Sequence, residues 1–353
     1  MPSPTFTARV QPTRRRVLAA GAAAALAAGH AVAQVASAPI TGGARPYTIR
    51  FSHVVAQDTP KGLAALRFQA LVQERSGGRM DVAIYPEGQL YGDRDEMQAL
   101  QLGAVEILAP SLSKFGRIGF PEFELFDLPF LFPDVASVRR VTQGPLGARL
   151  LERLQRQRLV GLGFMGNGFK HMSANRPLLS PGDFVGQRMR IQASRVLEAQ
   201  MRALNAQPVT LAFSETHRAL ALAVVDGTEN PVSNFWTQDM HEVQSHLSLT
   251  QHGYLGYAVV TSQRFLAALS SPDRELVRGA MGEAMAFADQ IADTQNDNAL
   301  AALRADGRTQ ILVPTQGELD TLRTAVLSVH EGLAKRIGPQ WLADVQDALS
   351  SSS

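Results

Sequence analysis

Residues 186–231, GQRMRIQASRVLEAQMRALNAQPVTLAFSETHRALALAVVDGTENP, decide the fold of this chain. Their pattern predicts a strand, a helix, a second strand, a second helix and a polar turn at residues 229–231. Strands that alternate with helices in this way are typical of α/β layers. The order also suits a pocket for a carboxylate, because the first strand carries cationic side chains.

The alternation within that first strand separates two faces. Met189 and Ile191 fall on one face, and Arg188, Arg190 and Gln192 fall on the other. One arginine can therefore face a cleft without leaving the sheet. A guanidinium stays charged and offers paired donors that match the two oxygens of a carboxylate. The alternative is that both arginines are solvated charges on the strand face.

The first 33 residues predict an export signal that is removed. Arg9 and the arginines at 14–16 precede an apolar run at 17–28, and residues 31–33 have the small-x-small pattern of a signal peptidase site. The run is shorter than the roughly 20 residues that span a bilayer. The arginine run fits both the Sec and the Tat export routes. We expect an exported protein in the periplasm of a Gram-negative bacterium.

Removal of this signal changes the charge balance. The whole chain has a formal charge of +2, with 34 Lys and Arg against 32 Asp and Glu; loss of four arginines leaves 30 basic residues and a charge of −2. The composition is therefore no argument for a nucleic-acid partner. The chain has no cysteine, which excludes disulfides, thiolate metal sites and cysteine catalysis.

The first half of the chain places two polar residues at the ends of predicted strands. Residues 47–53 form a strand that ends at His53, a helix begins near Pro60 and runs to about Arg75, and a short buried strand at 105–109 precedes Ser111. Ligands of open α/β sheets bind outside the carboxyl ends of strands. His53 and Ser111 are therefore candidate site residues.

The pattern also predicts two lobes joined by a hinge. A second lobe is expected to begin after Asn167, so that lobe I comprises residues 47–167 and 256–295, and lobe II comprises 168–255 and 296–350. A long helix within 273–305 is expected to support the hinge. Two crossings between the lobes without a flexible linker favour hinge motion over independent domains.

Two motifs resemble functional sites without their structural context. Residues 161–166 match G-x-G-x-x-G but lie in a strand-like run, so they predict no nucleotide site. His241 and His246 are five residues apart, whereas a helical zinc motif needs four. Asp93 and Glu96 have the spacing of a helix capping box. No set of nucleophile, base and oxyanion donor is evident, and an exported hydrolase is the weaker alternative; we expect no enzyme, no metal and no cofactor.

Several segments together resemble the DctP-type periplasmic solute-binding proteins of tripartite ATP-independent periplasmic (TRAP) transporters. The resemblance covers nearly the whole chain after the signal and implies an α/β, two-lobed periplasmic-binding-protein fold with its ligand cleft between the lobes. Its markers are FSHVVAQDTPKG (51–62), YPEGQLYGDRDEMQALQLGAVEILAPS (85–111), NGFKHMSANRP (167–177), RMRIQAS (188–194), LAFSETHRAL (211–220) and VVDGTENP (224–231).

The resemblance implies roles for particular residues. Arg190 matches the family arginine that makes a two-point salt bridge with the substrate carboxylate. Lys170 stands where many relatives have a second arginine, and lysine there resembles the C4-dicarboxylate branch. Asn230 resembles the asparagine that hydrogen-bonds the ligand, and Phe213 resembles an aromatic residue that packs beside it. Core and turn-forming roles are the alternatives for the last two.

Two cations held apart match a small dianion better than a sugar. The resemblance implies a periplasmic subunit that closes on succinate, malate or fumarate and delivers it to the small and large membrane subunits. Another organic acid such as a 2-oxoacid, or a role as the ligand-sensing partner of a membrane receptor, are the alternatives. We expect a monomer.

Overall fold

The computed structural model describes residues 47–350, and the predicted export signal lies outside the described residues. The strands are β1 (Tyr47–Ser52), β2 (Met80–Tyr85), β3 (Ile107–Leu108), β4 (Leu159–Ala174), β5 (Arg188–Ile191), β6 (Gln207–Thr210), β7 (Gly227–Asn230), β8 (His246–Ser262) and β9 (Gln310–Leu312). The α-helices are α1 (Pro60–Arg75), α2 (Glu96–Leu102), α3 (Val135–Gln143), α4 (Pro145–Arg153), α5 (Arg195–Ala203), α6 (Thr216–Ala221), α7 (Val232–Thr237), α8 (Gln263–Ala268), α9 (Ser271–Asp306), α10 (Gln316–Val326), α11 (Ser328–Ile337) and α12 (Pro339–Ser350).

Short 3-10 helices connect these elements. They are Leu112–Ile118, Pro121–Asp127, Leu154–Gln157, Pro181–Phe184, Phe213–Glu215 and Met240–Glu242. None of the helices within residues 47–350 is both long enough and apolar enough to cross a membrane.

The nine strands within residues 47–350 belong to one mixed sheet in the order β2-β1-β3-β8-β4-β7-β5-β6, with β9 paired to β8. At one end β1 runs parallel to β2 and β3, and at the other end β5 runs parallel to β6 and β7. The antiparallel pair β4 and β8 lies between these two parallel regions. The long pair therefore connects two α/β halves of the chain.

Strands β4 and β8 are longer than the sequence predicts. The sequence indicates short strands at 159–165 and 257–261, whereas β4 has 16 residues and β8 has 17. The pairing shifts register at three places, two of them at Gly163 and Gly168, whose φ angles are 155° and 141°. Such bulges bend a strand without ending it. As predicted, the G-x-G-x-x-G segment lies within this strand.

Helix α9 packs against both halves. It has 36 residues, as the sequence predicts, and begins where the side chain of Ser270 accepts a hydrogen bond from the backbone N–H of Asp273. It contacts α1, β4 and α7. The Nδ2 of Asn296 donates to the backbone oxygen of Asn167 at 2.7 Å, which ties the helix to the bulged part of β4. The helix therefore supports the connection between the halves.

The beginning of α1 is as predicted, and the beginning of α2 is not. Thr59 caps α1 by accepting from Gly62 N, with Pro60 in the first turn. Helix α2 starts at Glu96 with Asp95 at its N-cap and no side-chain capping bond. The expected capping box of Asp93 and Glu96 is therefore wrong, because both carboxylates bind Lys114 instead.

Most of the segment at 125–132 is buried. Leu125, Phe126, Leu128 and Phe132 are each at most 5% exposed and join a core of phenylalanines that includes Phe123. A second core packs α1 and α9 against β1 and β8. The loop after β3 joins the first core through Leu112, and the loop after β1 joins a third core through Val54 and Val55.

Candidate functional site

A cavity of about 280 Å³ lies where the segment after β2 meets the ends of β5 and β6. This volume is near the lower end of the roughly 300–1,000 Å³ of small-molecule sites. The lining residues are Asp93, Arg94, Met97, Lys114, Arg117, Ile118, Arg190, Gln192, Ala193, Thr210, Leu211 and Ala212. Four of them are cationic, so the cavity suits a small anion.

The structure separates the two arginines of β5. Arg188 is partly exposed and bonded to Asp226, with Nε to Oδ2 at 3.0 Å and Nη2 to Oδ1 at 2.6 Å. Arg190 is 1% exposed and lines the cavity. Among the described residues no carboxylate lies within ion-pair distance of Arg190. The arginine without a counter-charge is therefore the one that faces the cavity.

Neighbouring groups hold the Arg190 side chain in place. Its Nε and Nη2 donate to the carbonyl oxygen of Leu211 at 3.2 and 2.9 Å, and its guanidinium carbon lies 5.6 Å from the centroid of the Phe213 ring. Burial lowers its pKa, although Asp93, Glu229 and Glu215 act in the opposite direction. A buried cation without a paired anion is unfavourable, so an anionic ligand would stabilise this arrangement.

Asp93 connects several charges at the cavity wall. The ammonium of Lys114 forms ion pairs with both Asp93 and Glu96. One oxygen of Asp93 also accepts the backbone N–H of Phe213 at 2.5 Å. Burial alone would raise the pKa of Asp93, but the charge and hydrogen bond of Lys114, the N–H of Phe213 and the charge of Arg190 together lower it to about 2. Asp93 is therefore ionised, and Lys114 is already neutralised by the chain.

Further contacts join residues 94–117 on one side of the cavity to residues 192–215 on the other. Arg94 pairs with Glu215 at 3.2 Å, and Arg117 pairs with Glu198. The side chain of Gln192 accepts from Ser113 Oγ at 3.1 Å and donates to Ser111 Oγ at 3.0 Å. Ser111 therefore reaches the lining of the cavity through Gln192.

Lys170 lies in a different environment from Arg190. It is 2% exposed, and its Nζ lies 2.7 Å from Oε1 of Glu229. The other oxygen of Glu229 lies 2.8 Å from Nε2 of His252, whose Nδ1 lies 2.7 Å from Thr250 Oγ1. Burial would raise the pKa of Glu229, but Lys170 and His252 hold it at about 2. Lys170 is thus paired within the chain and is not among the residues that line the described cavity.

The other predicted site residues are all buried. The Nδ2 of Asn230 donates to Thr228 Oγ1 at 3.4 Å, and Asn230 lies opposite His171 in the β4–β7 pair. Phe213 packs beside Arg190, as described above. His53 is fully buried, and its ring nitrogens have no hydrogen-bond partner in the described part of the chain. Burial, with the nearby charge of Lys61, lowers the pKa of His53 to about 3, so the ring is neutral.

Sequence reasoning missed Lys114 and Gln192, which line the cavity, and the burial of Lys61. One signal for Lys61 was available: it stands in the first turn of α1, where the helix dipole favours acidic residues over cations. Gln192 shared the polar strand face of Arg190. The burial of Lys114 depends on tertiary packing and has no local signature.

The comparisons with known proteins agree with this geometry. Residues 51–336 match the DctP family, described as bacterial extracellular solute-binding protein, family 7. The chain is 48% identical, over 305 residues, to the C4-dicarboxylate-binding periplasmic protein DctP of Rhodobacter capsulatus, covering 86% of this chain and 92% of that protein.

Solved structures are also similar. A TRAP periplasmic solute-binding protein from Shewanella oneidensis with bound succinate has a TM-score of 0.85 and 38% identity, covering 86% of this chain and all of that one. One from Pseudomonas aeruginosa with bound L-malate has a TM-score of 0.79 and 36% identity, covering 81% and 100%. The predicted fold class, a two-lobed α/β binding protein, is confirmed.

Proposed function

The chain belongs to the DctP family of bacterial extracellular solute-binding proteins, and from that premise we propose that it captures a C4-dicarboxylate in the periplasm for a TRAP transporter. The family is one of solute-binding proteins and not of enzymes. Relatives from Rhodobacter capsulatus and Shewanella loihica carry the name C4-dicarboxylate-binding periplasmic protein. Succinate, malate and fumarate are the proposed ligands.

The observation that carries this proposal is the uncompensated charge of Arg190. Its guanidinium is buried at a small cavity, has no carboxylate partner in the described chain and is held by Leu211 and Phe213. Its paired donors match a carboxylate. A neutral sugar would leave this charge unpaired, and that is unfavourable in a buried site.

Closure around the ligand is the proposed mechanism. Ser111 and Asp93 belong to proposed lobe I, and their partners Gln192 and Phe213 belong to proposed lobe II. A ligand that bridges the lobes adds to these contacts and shifts the population toward the closed state. The two crossings along β4 and β8, supported by α9, are the proposed hinge.

The other predicted ligand-binding residues differ in how strongly their positions support a binding role. Phe213 packs against Arg190, and Ser111 reaches the cavity through Gln192. Asn230 is the last residue of β7, His53 directly follows β1, and both are buried. Lys170 stays a prediction as the partner of a second carboxylate, and a ligand there would share it with Glu229.

We further propose delivery of the ligand to the small and large membrane subunits by an exported, monomeric protein. The predicted signal at residues 1–33 supports export. Binding requires no metal, nucleotide or covalent step.

A thermal-shift screen of the mature protein tests the function, because a ligand that binds only the native state raises the midpoint of unfolding. Succinate, L-malate and fumarate should raise it, and glucose should not. Pyruvate serves as the 2-oxoacid comparison. A protein that responds to pyruvate and to none of the three dicarboxylates would contradict the proposed ligand class.

A further inference from the structure

Four cationic side chains are buried in the described part of the chain: Lys61, Lys114, Lys170 and Arg190. Lys114 is paired with Asp93 and Glu96, and Lys170 is paired with Glu229. Neither Lys61 nor Arg190 has a carboxylate within ion-pair distance among the described residues. Buried charges are normally paired. Two unpaired cations therefore indicate two missing anionic groups.

The position of Lys61 is unfavourable for a merely structural lysine. It stands in the first turn of α1, near the positive end of the helix dipole. It is 1% exposed, and its ammonium donates one hydrogen bond, to Ala109 O at 3.1 Å. It also lies 3.8 Å from the centroid of the Tyr257 ring. An ammonium has three donors, so this environment leaves donors for a ligand.

Neutral polar groups with unused hydrogen-bonding capacity accompany Lys61. The hydroxyl of Ser52 and both ring nitrogens of His53 are buried and have no hydrogen-bond partner in residues 47–350. The buried hydroxyl of Tyr257 accepts from the side chain of Asn234, and its own O–H has no acceptor there. Tyr257 touches Lys61, and His53 is near enough for the Lys61 charge to act on it. Hydroxyls and a neutral imidazole can each donate to a carboxylate. Unpartnered buried polar groups of this kind point to a ligand.

Lys61 is not among the residues that line the cavity of Arg190, but the same charges act on both side chains. Asp93 and Lys114 line the cavity of Arg190, and their fields also reach the ammonium of Lys61. The field of Asp93 reaches Arg190 as well. The main chain adds a second connection: Lys61 bonds to Ala109, and Ser111 two residues later bonds to Gln192 in the cavity lining.

On the basis of the proposed function, we propose that Lys61 binds the second carboxylate of the dicarboxylate ligand, assisted by His53 and Tyr257, while Arg190 binds the first. This assignment replaces the predicted role of Lys170, which instead neutralises Glu229 within the fold. Lys61 is thereby the residue that selects dicarboxylates over monocarboxylates, because a ligand without the second carboxylate leaves its charge buried and unpaired.

Calorimetric titration with succinate and with succinamate, its half-amide, tests this assignment. At pH 6, where Lys61 is charged, the mature wild-type protein should prefer succinate by at least about 30-fold, in line with the energy of a buried charge pair. Lys61→Met should weaken succinate binding by at least about 30-fold and change succinamate binding by less than about threefold. The exposed Lys335→Met is the matched control and should behave like the wild type.

The titrations distinguish a failure of the Lys61 assignment from a failure of the proposed function. If Lys61→Met keeps its preference for succinate, and the double variant Lys170→Met/Glu229→Gln loses it, the assignment to Lys61 is overturned while the proposed function stands. If the wild-type protein binds no dicarboxylate, the proposed function itself fails. Should Lys61→Met not fold, Tyr257→Phe replaces it: a loss of the same preference supports the site, and an unchanged preference argues against it.

Discussion

The guanidinium carbon of Arg190 lies 5.6 Å from the centroid of the Phe213 ring. Attraction between the cation and the ring face, together with the two bonds to Leu211 O, fixes the plane of the guanidinium beside the cavity. A ligand carboxylate thus meets a cation that is already oriented, and less conformational entropy is lost on binding.

Replacement of Phe213 by leucine should weaken dicarboxylate binding by about 0.5–2 kcal/mol, because the cation–π contact with Arg190 is lost while most of the apolar volume remains. Titration calorimetry measures the change. Phe235, a buried phenylalanine of the same core cluster, provides the control: Phe235→Leu should lower stability without this loss of affinity. Equal affinity losses in both variants would assign Phe213 to packing alone.

The buried pair of Lys170 and Glu229 is expected to be a stability element. Glu229→Gln leaves Lys170 without its counter-charge and should lower the free energy of unfolding by about 3–5 kcal/mol. Urea denaturation of the ligand-free protein gives the value. Glu242→Gln, which removes a surface pair with Arg308, should have little effect. A Glu229→Gln variant as stable as the wild type would be inconsistent with this role.

Acid should destabilise the protein through Asp93 and Glu229. Their folded pKa values are about 2, below the ordinary values of 3.8 and 4.5. A group with a depressed folded pKa contributes stability above its unfolded pKa, and this contribution is lost as the pH falls through the folded value. Stability should therefore decline between about pH 4.5 and pH 2. Denaturation at several pH values should show a smaller decline in Glu229→Gln than in the wild type.

Ligand binding should be coupled to the protonation of Lys61. Burial, with the charge of Lys114, lowers the pKa of Lys61 to about 7, while Glu96 and Asp93 act in the opposite direction. Of the other groups around the ammonium, His53 is neutral because its pKa is about 3, and burial raises the pKa of Tyr257 so that it stays protonated. Lys61 thus titrates near neutral pH, and burial also raises the pKa of the neighbouring Glu96 above its ordinary value.

A bound carboxylate favours the charged form of Lys61, so binding above about pH 7 should take up a proton. Affinity should be highest below that pH and should fall as the pH rises. Calorimetry at pH 8 in two buffers of different ionisation enthalpy measures the proton uptake, which should disappear in Lys61→Met. The same uptake in the variant would assign it to another group.

The local pattern was sufficient to predict most of the fold. Helix α9 was predictable because Ser270 and Asp273 mark its start and no later proline interrupts it. The lengths of β4 and β8 were not, because Gly163 and Gly168 look like strand breakers and instead occupy bulges stabilised by pairing with β8. Pairing partners lie far away along the chain, and a local pattern does not contain them.

The site was predictable only in part for the same reason. Strand alternation identified the face of Arg188 and Arg190, but the choice between them depends on Asp226, which lies 38 residues beyond Arg188 in sequence and pairs with it in the fold. The pairing of Lys170 with Glu229 and the burial of Lys61 likewise arise from tertiary contacts. The predicted lobe boundaries stay a prediction.

The central claim is that Arg190 binds a carboxylate of the ligand, and titration calorimetry with succinate tests it most directly. Arg190→Ala should weaken binding by about 2–5 kcal/mol, the range for truncation of one member of a buried charge pair. Arg188→Ala, two residues away and already paired with Asp226, should change the affinity by less than about twofold. An Arg190→Ala variant that binds succinate as tightly as the wild type would contradict the claim.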